Sequence, residues 1–424
     1  MKIAIAAYGV EGQASYRYYS KDPSNDITIL DQNPDTIVPD DVRSVLGVDA
    51  FKALDGYDLV LRSPAVRPDS LQTDGKVWSG TNEFFAQCPA DIIGVTGSKG
   101  KGTTSSMVAS ILEAAGRKVW LVGNIGIPPL DVLDQVKPDD VVVMELSSFQ
   151  LWDLEYSPQT AVVLFIEQEH LDVHTDMFEY VTAKSRIAAS QQPDDILIYN
   201  SENEYARIIA GGSHVQKIGF PSDVTTHIKE GFFYNGEQKL CSTDAVQLPG
   251  FHNQSNAIAA IDAVWQYTKD GSAIEAGLRA FTGLPHRLMF VREHQEISYY
   301  DDSIATTPAS AIAAIVSFEQ PKVLILGGSD KGGDYRSLRD AITASDSIRA
   351  VISIGANGAH ITNSLDASLV HRVDMTDMTS IVAAATSYAE PGDVVIMSPA
   401  AASFDMFKSY ADRGDQFVAT VNSL

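Results

Sequence analysis

Between residues 91 and 115 the chain reads as apolar strand, glycine-rich loop and helix. The pieces are Asp91-Ile92-Ile93-Gly94-Val95-Thr96, then Gly97-Ser98-Lys99-Gly100-Lys101-Gly102-Thr103-Thr104, then a helical run from Ser105 to Ala115. No other stretch limits the fold as much, because strand, turn and helix in that order open a parallel, helix-covered sheet. The same order stacks backbone N–H groups at a helix N-terminus. A triphosphate fits there, with Lys101 as a mobile cation and a threonine hydroxyl offered to Mg²⁺. Val95 stands where the general phosphate-loop pattern has its first glycine, and Gly102 rather than a hydroxyl residue follows the lysine. A glycine-rich turn without a ligand is the plain alternative. Lys101 beside paired threonines points instead to ATP.

Similar alternation fills the rest of the 424 residues, a length that asks for two or three cores. In residues 1–89, strands are expected near Lys2–Ala7, Ile27–Asp31 and Leu59–Ser63. The first turn, Ala7-Tyr8-Gly9-Val10-Glu11-Gly12, is a degraded dinucleotide fingerprint with Asp31 ending the next strand. Tight packing would explain those glycines equally well. Residues 90–283 add strands at Asp140–Glu145 and Ala161–Ile166, a helix from Met177 to Ser190 and an alanine-rich helix reaching Tyr267. Residues 284–424 add strands near Ile297–Asp301, Lys322–Leu326, Ala350–Ile354 and Asp393–Met397. Gly283-Leu284-Pro285 is the best linker. The fold class is α/β, built from parallel sheets with helices on both faces.

Charge and cysteine content remove several function classes. A formal net charge of −24 argues against nucleic acid and anionic membranes as partners. Cys88 and Cys241 are too few for a disulfide framework, and no apolar run approaches membrane-spanning length. A cytoplasmic monomer is expected.

The chemistry-bearing residues follow strands. Glu145 ends an apolar strand and precedes Leu146-Ser147-Ser148-Phe149-Gln150, where an Mg²⁺ ligand belongs beside a phosphate loop; a helix-capping acid is the other reading. Ile166-Glu167-Gln168-Glu169-His170-Leu171-Asp172-Val173-His174 fits no zinc spacing and reads as phosphate and Mg²⁺ chemistry or as a solvated acidic loop. Lys184, on the next helix, reads on its own as a surface residue. Asn253 and Asn256, three apart, present amides to a nucleotide or cap a helix. His286-Arg287, Asp301-Asp302-Ser303, the glycine cluster around Lys331 and Ser398-Pro399-Ala400-Ala401-Ala402-Ser403-Phe404-Asp405 complete the set. The last is expected to begin a helix and receive an anion.

Taken in order, these clusters resemble the Mur ligases, ATP-dependent amide-forming enzymes of peptidoglycan precursor synthesis. The resemblance covers the whole chain and rests on Glu145 through Leu151, Gly250-Phe251-His252-Asn253 with Asn256, Asp330-Lys331-Gly332, and Ser398 through Asp405 to Arg413-Gly414. Gly123-Asn124-Ile125-Gly126 adds to it. It implies an N-terminal Rossmann-like domain for a UDP substrate (1–89), a central P-loop ATPase-like domain (90–283) and a C-terminal Rossmann-like domain for an amino acid (284–424). It further implies that ATP phosphorylates the carboxylate of UDP-N-acetylmuramoyl-L-alanine and that D-glutamate then attacks the acyl phosphate, with two Mg²⁺ ions and Lys101 carrying the electrostatic load.

Carried over position by position, Thr103 or Thr104 and Glu145 would serve one Mg²⁺, with His170 at the second. Lys184 would be a carbamoylated ligand, and Lys101, His170 and Lys184 the catalytic group. The loop Gly97–Thr104 with Asn253, Asn256, Arg287 and Asp302 would hold ATP. Gly9, Val10, Asp31, Ser63, Asn124, Ser147 and Gln150 would hold the UDP substrate, and Thr306, Lys331, Ser403 and Tyr410 the amino acid. The chain departs from the family pattern at Ile304, which stands where a lysine is usual. It departs again at Met289, at Gly102, and at Ser63-Pro64-Ala65, which lacks a glycine. Two rivals remain: a folylpolyglutamate synthase or another ligase of the superfamily, and a catalytically silent nucleotide-binding partner.

Overall fold

β-branched runs such as Val141-Val142-Val143 are long enough to cross a covered sheet and too short for a buried helix, so the chain must collect them edge to edge. The computed structural model describes residues 1–52, 54–171, 173–329, 333–373 and 377–424 and shows how it does so. The chain divides into two units, Met1–Val246 with Phe251–Phe281, and Gln247–Gly250 with Thr282–Leu424.

The first unit opens with β1 (Lys2–Ala6), α1 (Val10–Tyr19), β2 (Asp26–Asp31), β3 (Arg43–Leu46), β4 (Leu59–Arg62), β5 (Lys76–Ser79) and α2 (Gly80–Gln87). These strands form a parallel sheet in the order β3-β2-β1-β4-β5. There follow β6 (Asp91–Thr96), α3 (Lys101–Ala114), β7 (Val119–Gly123), α4 (Pro129–Val132), β8 (Val141–Glu145) and α5 (Ser148–Leu151). Next come β9 (Thr160–Val163), α6 (Met177–Ala189), β10 (Ile196–Asn200), α7 (Glu204–Gly212) and β11 (Gln216–Phe220). They make a second parallel sheet, β11-β10-β9-β6-β8-β7. The order reverses between β6 and β9, and the glycine-rich loop leaves the carboxyl end of β6. That is the place where open α/β sheets form a ligand crevice. A small antiparallel sheet of β12 (Thr226–Lys229), β13 (Phe232–Asn235) and β14 (Gln238–Ser242), with α8 (Phe251–Val264) and α9 (Gly271–Ala280), completes the unit.

The first two sheets are tied together. The Arg62 side chain, fully buried at the end of β4, donates from Nε to Asp153 Oδ2 at 2.6 Å and from Nη2 to Phe149 O at 2.9 Å. Asn82 donates to Asp153 O and accepts from the Glu155 N–H.

The second unit holds β15 (Met289–His294), β16 (Ile297–Asp301), α10 (Pro308–Val316), β17 (Lys322–Gly327), α11 (Arg336–Thr343) and β18 (Ile348–Ile354). After them come α12 (Gly358–Ile361), β19 (Val370–Arg372), α13 (Met378–Tyr388), β20 (Val394–Met397) and α14 (Tyr410–Asn422). The sheet runs β15-β16-β20-β17-β18-β19, parallel except for the β15–β16 hairpin. The helix expected at Ser398–Asp405 is absent: α14 starts at Tyr410, capped by Ser409. Among the described residues no helix is long and apolar enough to cross a membrane.

Candidate active site

The glycine-rich loop takes its shape from two glycines with different reasons to be there. Gly100 caps α3 in the left-handed region, φ +85°, and a Cβ on it would stand 2.4 Å from Asn256 Oδ1. A side chain is therefore excluded twice, by dihedral and by contact. Asn256 in turn donates to Asn253 Oδ1 at 3.2 Å, so the amide against the loop is held by the next one along α8. At Gly97 a Cβ would lie 2.8 Å from Leu164 Cβ. Lys101 curls back, its Nζ donating to Gly97 O and Ser98 O at 3.0 Å each.

Lys184 is not a surface residue. It is 1% exposed, and its Nζ donates to the same Gly97 O at 2.9 Å and reaches Thr96 Oγ1 at 3.4 Å. Tyr180, four residues earlier on α6, places its ring 4.6 Å below that ammonium and shares a 2.9 Å hydrogen bond with Ser98. Burial, and after it the neighbouring Lys101 charge, hold the Lys184 ammonium well below the usual lysine range. Two lysine amino groups thus meet on one carbonyl oxygen, and repulsion from Lys101 disfavours the charged form of Lys184.

Glu145 ends β8 at 3% exposure and does not cap a helix. Ser147 does that for α5, in a capping box with Gln150. Glu145 Oε1 accepts from Asn124 Nδ2 at 2.7 Å, while Oε2 is buried with no hydrogen-bond partner among the described residues. Gly123 lets Asn124 approach: a Cβ there would clash with Glu145 O at 2.3 Å. Thr104 Oγ1 is likewise buried without a partner among the described residues, whereas Thr103 is only buried. Buried, unpartnered hard oxygen donors are what Mg²⁺ takes, so these residues fit that ion.

The acidic loop is less of a metal cluster than its composition announces. Its strand stops at Val163; Glu167 and Glu169 lie 3.7 and 3.5 Å from Lys99 Nζ. His170, at φ +57°, is partly exposed and lies 4.9 Å from the Phe149 ring. His174 points inward, stacked on Phe149 and sharing a 3.0 Å hydrogen bond with Ser148. Asp172 lies outside the described residues. Among those described, no three His, Cys, Asp or Glu side chains gather as a metal site.

At the carboxyl end of the first sheet, Asp31 Oδ2 accepts from the Tyr8 N–H at 2.7 Å, and Ser63 Oγ donates to Ala7 O at 2.6 Å. Gly12 is there for packing, since a Cβ would stand 2.1 Å from Ala7 O; around Gly9 the same position is open. Gly9 caps α1 without a side-chain bond, and Val10 is exposed. Gln150 is engaged at both ends: Oε1 accepts from Ser147 N and Oγ, and Nε2 donates to Glu11 Oε1 at 2.7 Å. Glu11 carries no role in the motif reading, yet it sits among those residues. An acid in the first turn of a fingerprint loop was the available signal.

In the second unit, Asp302 is buried. Its Oδ2 accepts from Ser398 Oγ at 2.6 Å and its Oδ1 from the Leu288 N–H at 3.0 Å; burial pushes the carboxyl up to about 7. Arg287 is exposed and stabilises the charged form of Asp302. Arg413, fully buried, donates to Ser303 Oγ and O at 2.8 Å and to Ala401 O at 3.1 Å. The Ala400 N–H donates to Ala305 O, and Ser303 Oγ to Tyr410 O. These bonds gather the segments bearing Thr306, Ser403 and Tyr410. Lys331 lies outside the described residues.

Two family models match the chain: the Mur ligase middle domain over residues 95–264 and the Mur ligase glutamate ligase domain over 286–401. A UDP-N-acetylmuramoylalanine–D-glutamate ligase of Clostridium acetobutylicum is 33% identical over 452 residues, covering 100% of this chain and 96% of its own. Its namesake from Acetivibrio thermocellus is 36% identical over 406 residues, covering 91% and 86%. The crystal structure of the UDP-N-acetylmuramate-alanine ligase MurC from Thermotoga maritima shares the fold, with a TM-score of 0.62 at 18% identity over 100% of this chain and 99% of its own. A Mycobacterium tuberculosis folylpolyglutamate synthase complexed with ADP does so with a TM-score of 0.58 at 15% identity, over 79% of this chain and 92% of its own. On the domain matches and the full-length identity together, this chain belongs to the Mur ligase family.

Proposed function

We propose that this protein uses ATP to join D-glutamate to UDP-N-acetylmuramoyl-L-alanine, a step of peptidoglycan precursor synthesis. The observation that carries the reading within the first unit is the pair of lysine amino groups, Lys101 and Lys184, on Gly97 O, in a loop flanked by Asn256 and close to buried Glu145. Such a loop gathers phosphate charge in a protein that otherwise repels it. A carboxylate is a poor acyl donor because its leaving group would be oxide. Attack of its oxygen on the γ-phosphorus, with departure of ADP, makes that oxygen part of a phosphate that can leave. The amine of D-glutamate then adds to the acyl carbon, loses a proton, and the adduct collapses to amide and inorganic phosphate. Glu145 and Thr104 would hold Mg²⁺, with His170 near a second ion. Bound there, the metal would neutralise charge building on the transferred phosphoryl oxygens. Arg287 and Asp302 would hold the nucleotide; Thr306, Lys331, Ser403 and Tyr410 would hold D-glutamate.

Lys184 has what carbamoylation needs. A depressed ammonium supplies neutral amine, whose nitrogen adds to carbon dioxide as one C=O electron pair moves to oxygen and an N–H proton leaves. The resulting carbamate is an anionic oxygen ligand and offsets Lys101.

Phosphate release with ATP, Mg²⁺, UDP-N-acetylmuramoyl-L-alanine and single amino acids tests the reading. Turnover with D-glutamate is expected. Silence with every amino acid sinks it, and turnover only with a folate acceptor assigns the chain to the other ligase branch. Lys184→Ala is expected to lose most activity and to regain part with added short carboxylates; unchanged activity returns Lys184 to a structural role.

A further inference from the structure

The α1 N-terminus combines two features that conflict. Its first-turn N–H groups have no side-chain acceptor, Gly9 is open above them, and a helix of 10 residues favours an anion there. Yet Glu11, in that same turn, is a carboxyl whose ionised form would repel one. Its Oε1 accepts from Gln150 Nε2 at 2.7 Å, and its Oε2 has no hydrogen-bond partner among the described residues.

We propose that Glu11 makes binding of the sugar nucleotide proton-coupled: the acid is neutral in the complex, and its proton faces the diphosphate held at the start of α1. This rests on the reading of Gly9 and Val10 as part of the UDP-substrate site. The neutral acid keeps the Gln150 bond through its carbonyl oxygen and leaves the O–H on Oε2 as a donor. Burial already pushes the carboxyl up to about 7 in the free protein.

The surroundings do little to oppose this. From β4, Arg62 favours the charged form, but its guanidinium is committed to Asp153 and to the Phe149 carbonyl. At the end of β2, Asp31 accepts from the Tyr8 and Asn33 N–H groups and adds negative charge. On α1 itself Arg17 is paired with Asp131 of α4, and Glu83 of α2 accepts from Trp78 and Tyr18. From α5, the Gln150 amide donor favours the charged form, less strongly than burial opposes it, and Ser147 is neutral. A phosphate beside Glu11 is a like charge and raises its pKa further. The diphosphate diester and the alanyl carboxylate do not titrate near neutrality, so a proton taken up there belongs to the protein.

Calorimetry of UDP-N-acetylmuramoyl-L-alanine binding to the full chain without ATP, in buffers of different ionisation enthalpy, reads the effect. At about pH 8 the native protein is expected to take up close to one proton, with Kd rising toward about tenfold per pH unit above neutrality. Glu11→Gln, which keeps both the acceptor and the donor, is expected to take up none and to show a Kd flat from about pH 6 to 9. Glu11→Ala separates coupling from mere support of Gln150, because loss of support raises Kd equally at every pH. Equal proton uptake by the native protein and Glu11→Gln, or none by either while binding persists, overturns the coupling and leaves the site standing. No binding at any pH overturns both.

Discussion

Asp262, on α8 below Asn256, is a carboxylate with only one oxygen in use. Its Oδ1 accepts from Thr226 N at 3.1 Å and from Thr226 Oγ1 at 2.5 Å, whereas Oδ2 is buried with no partner among the described residues. Burial raises the carboxyl to about 6 from an ordinary 3.8. Between those values the folded chain binds the proton and the unfolded chain has lost it, so stability falls as pH rises through this window. A shift of that size is worth about 2–3 kcal/mol. Asp262→Asn removes the titration, so its unfolding midpoint relative to the parent is expected to improve from about pH 4 to about pH 6 and to stay level above that. Parallel pH profiles for the two proteins would remove Asp262 as the cause. Residue types were legible at this scale, but their burial was not. Tyr180 and Lys184 have the i, i+4 spacing of one helix face, yet nothing in the sequence says that a lysine should occupy the buried one. That depends on Gly97 O, which only the loop's path supplies. Asn124 was legible only through the family resemblance, as part of the UDP-substrate set; its bond to Glu145, across a close approach that Gly123 permits, is a contact no spacing announced.

Among elements, α3, which carries the loop, packs closely against α9. A Cβ on Gly277 would stand 2.4 Å from Ile111 Cα and 2.8 Å from Ser110 O, and Ser110 Oγ donates to Gly277 O at 2.7 Å. Gly277→Ala gains about 1 kcal/mol of helix propensity but forces two backbones apart, an overpacking that costs about 3 kcal/mol. The steric cost wins. Urea unfolding of Gly277→Ala is expected to show a net loss of about 2 kcal/mol, together with weaker ATP binding, since α3 carries Lys101 at its first turn. A neutral or stabilising result would mean that α9 rides freely on α3. Periodicity located β1, β2, β4, β6, β8, β9, β16, β17, β18 and β20 and the helices α3, α6 and α8, because each depends on its own pattern of apolar residues. It did not single out edge strands such as β3 and β7 or the small sheet β12–β14. It failed at Ser398–Asp405, where an alanine run promised a helix. There Ala400 adopts φ +57° and bonds Ala305, while Arg413 takes the carbonyls of Ala401 and Ala402, so tertiary bonds outcompete local propensity.

For the molecule as a whole, the decisive tie in the first unit is the Arg62–Asp153 pair. The partners are 91 residues apart, and no spacing rule connects them. Removing a buried partner leaves the other uncompensated, at about 3–5 kcal/mol. The exposed Arg17–Asp131 pair, at 2.7 Å, is worth about 1 kcal/mol or less. Thermal unfolding should therefore separate Arg62→Met from Arg17→Met, with a much lower midpoint for the first. Equal midpoints would show that the two sheets do not depend on the buried pair. The parallel-sheet architecture was legible from the alternation of elements, whereas the attachment of one sheet to the next was not, since it rests on pairs like this one.

Two lysine amino groups on one carbonyl oxygen also bear on what leaves the loop. On the proposed reading, the charge that draws in a nucleotide triphosphate holds back the diphosphate that remains after transfer. A loop that only attracted would be inhibited by its own product. Converting one of the two amino groups into an anion tempers that hold, so a modified Lys184 would set how quickly the enzyme frees itself for the next turnover as well as how it binds metal.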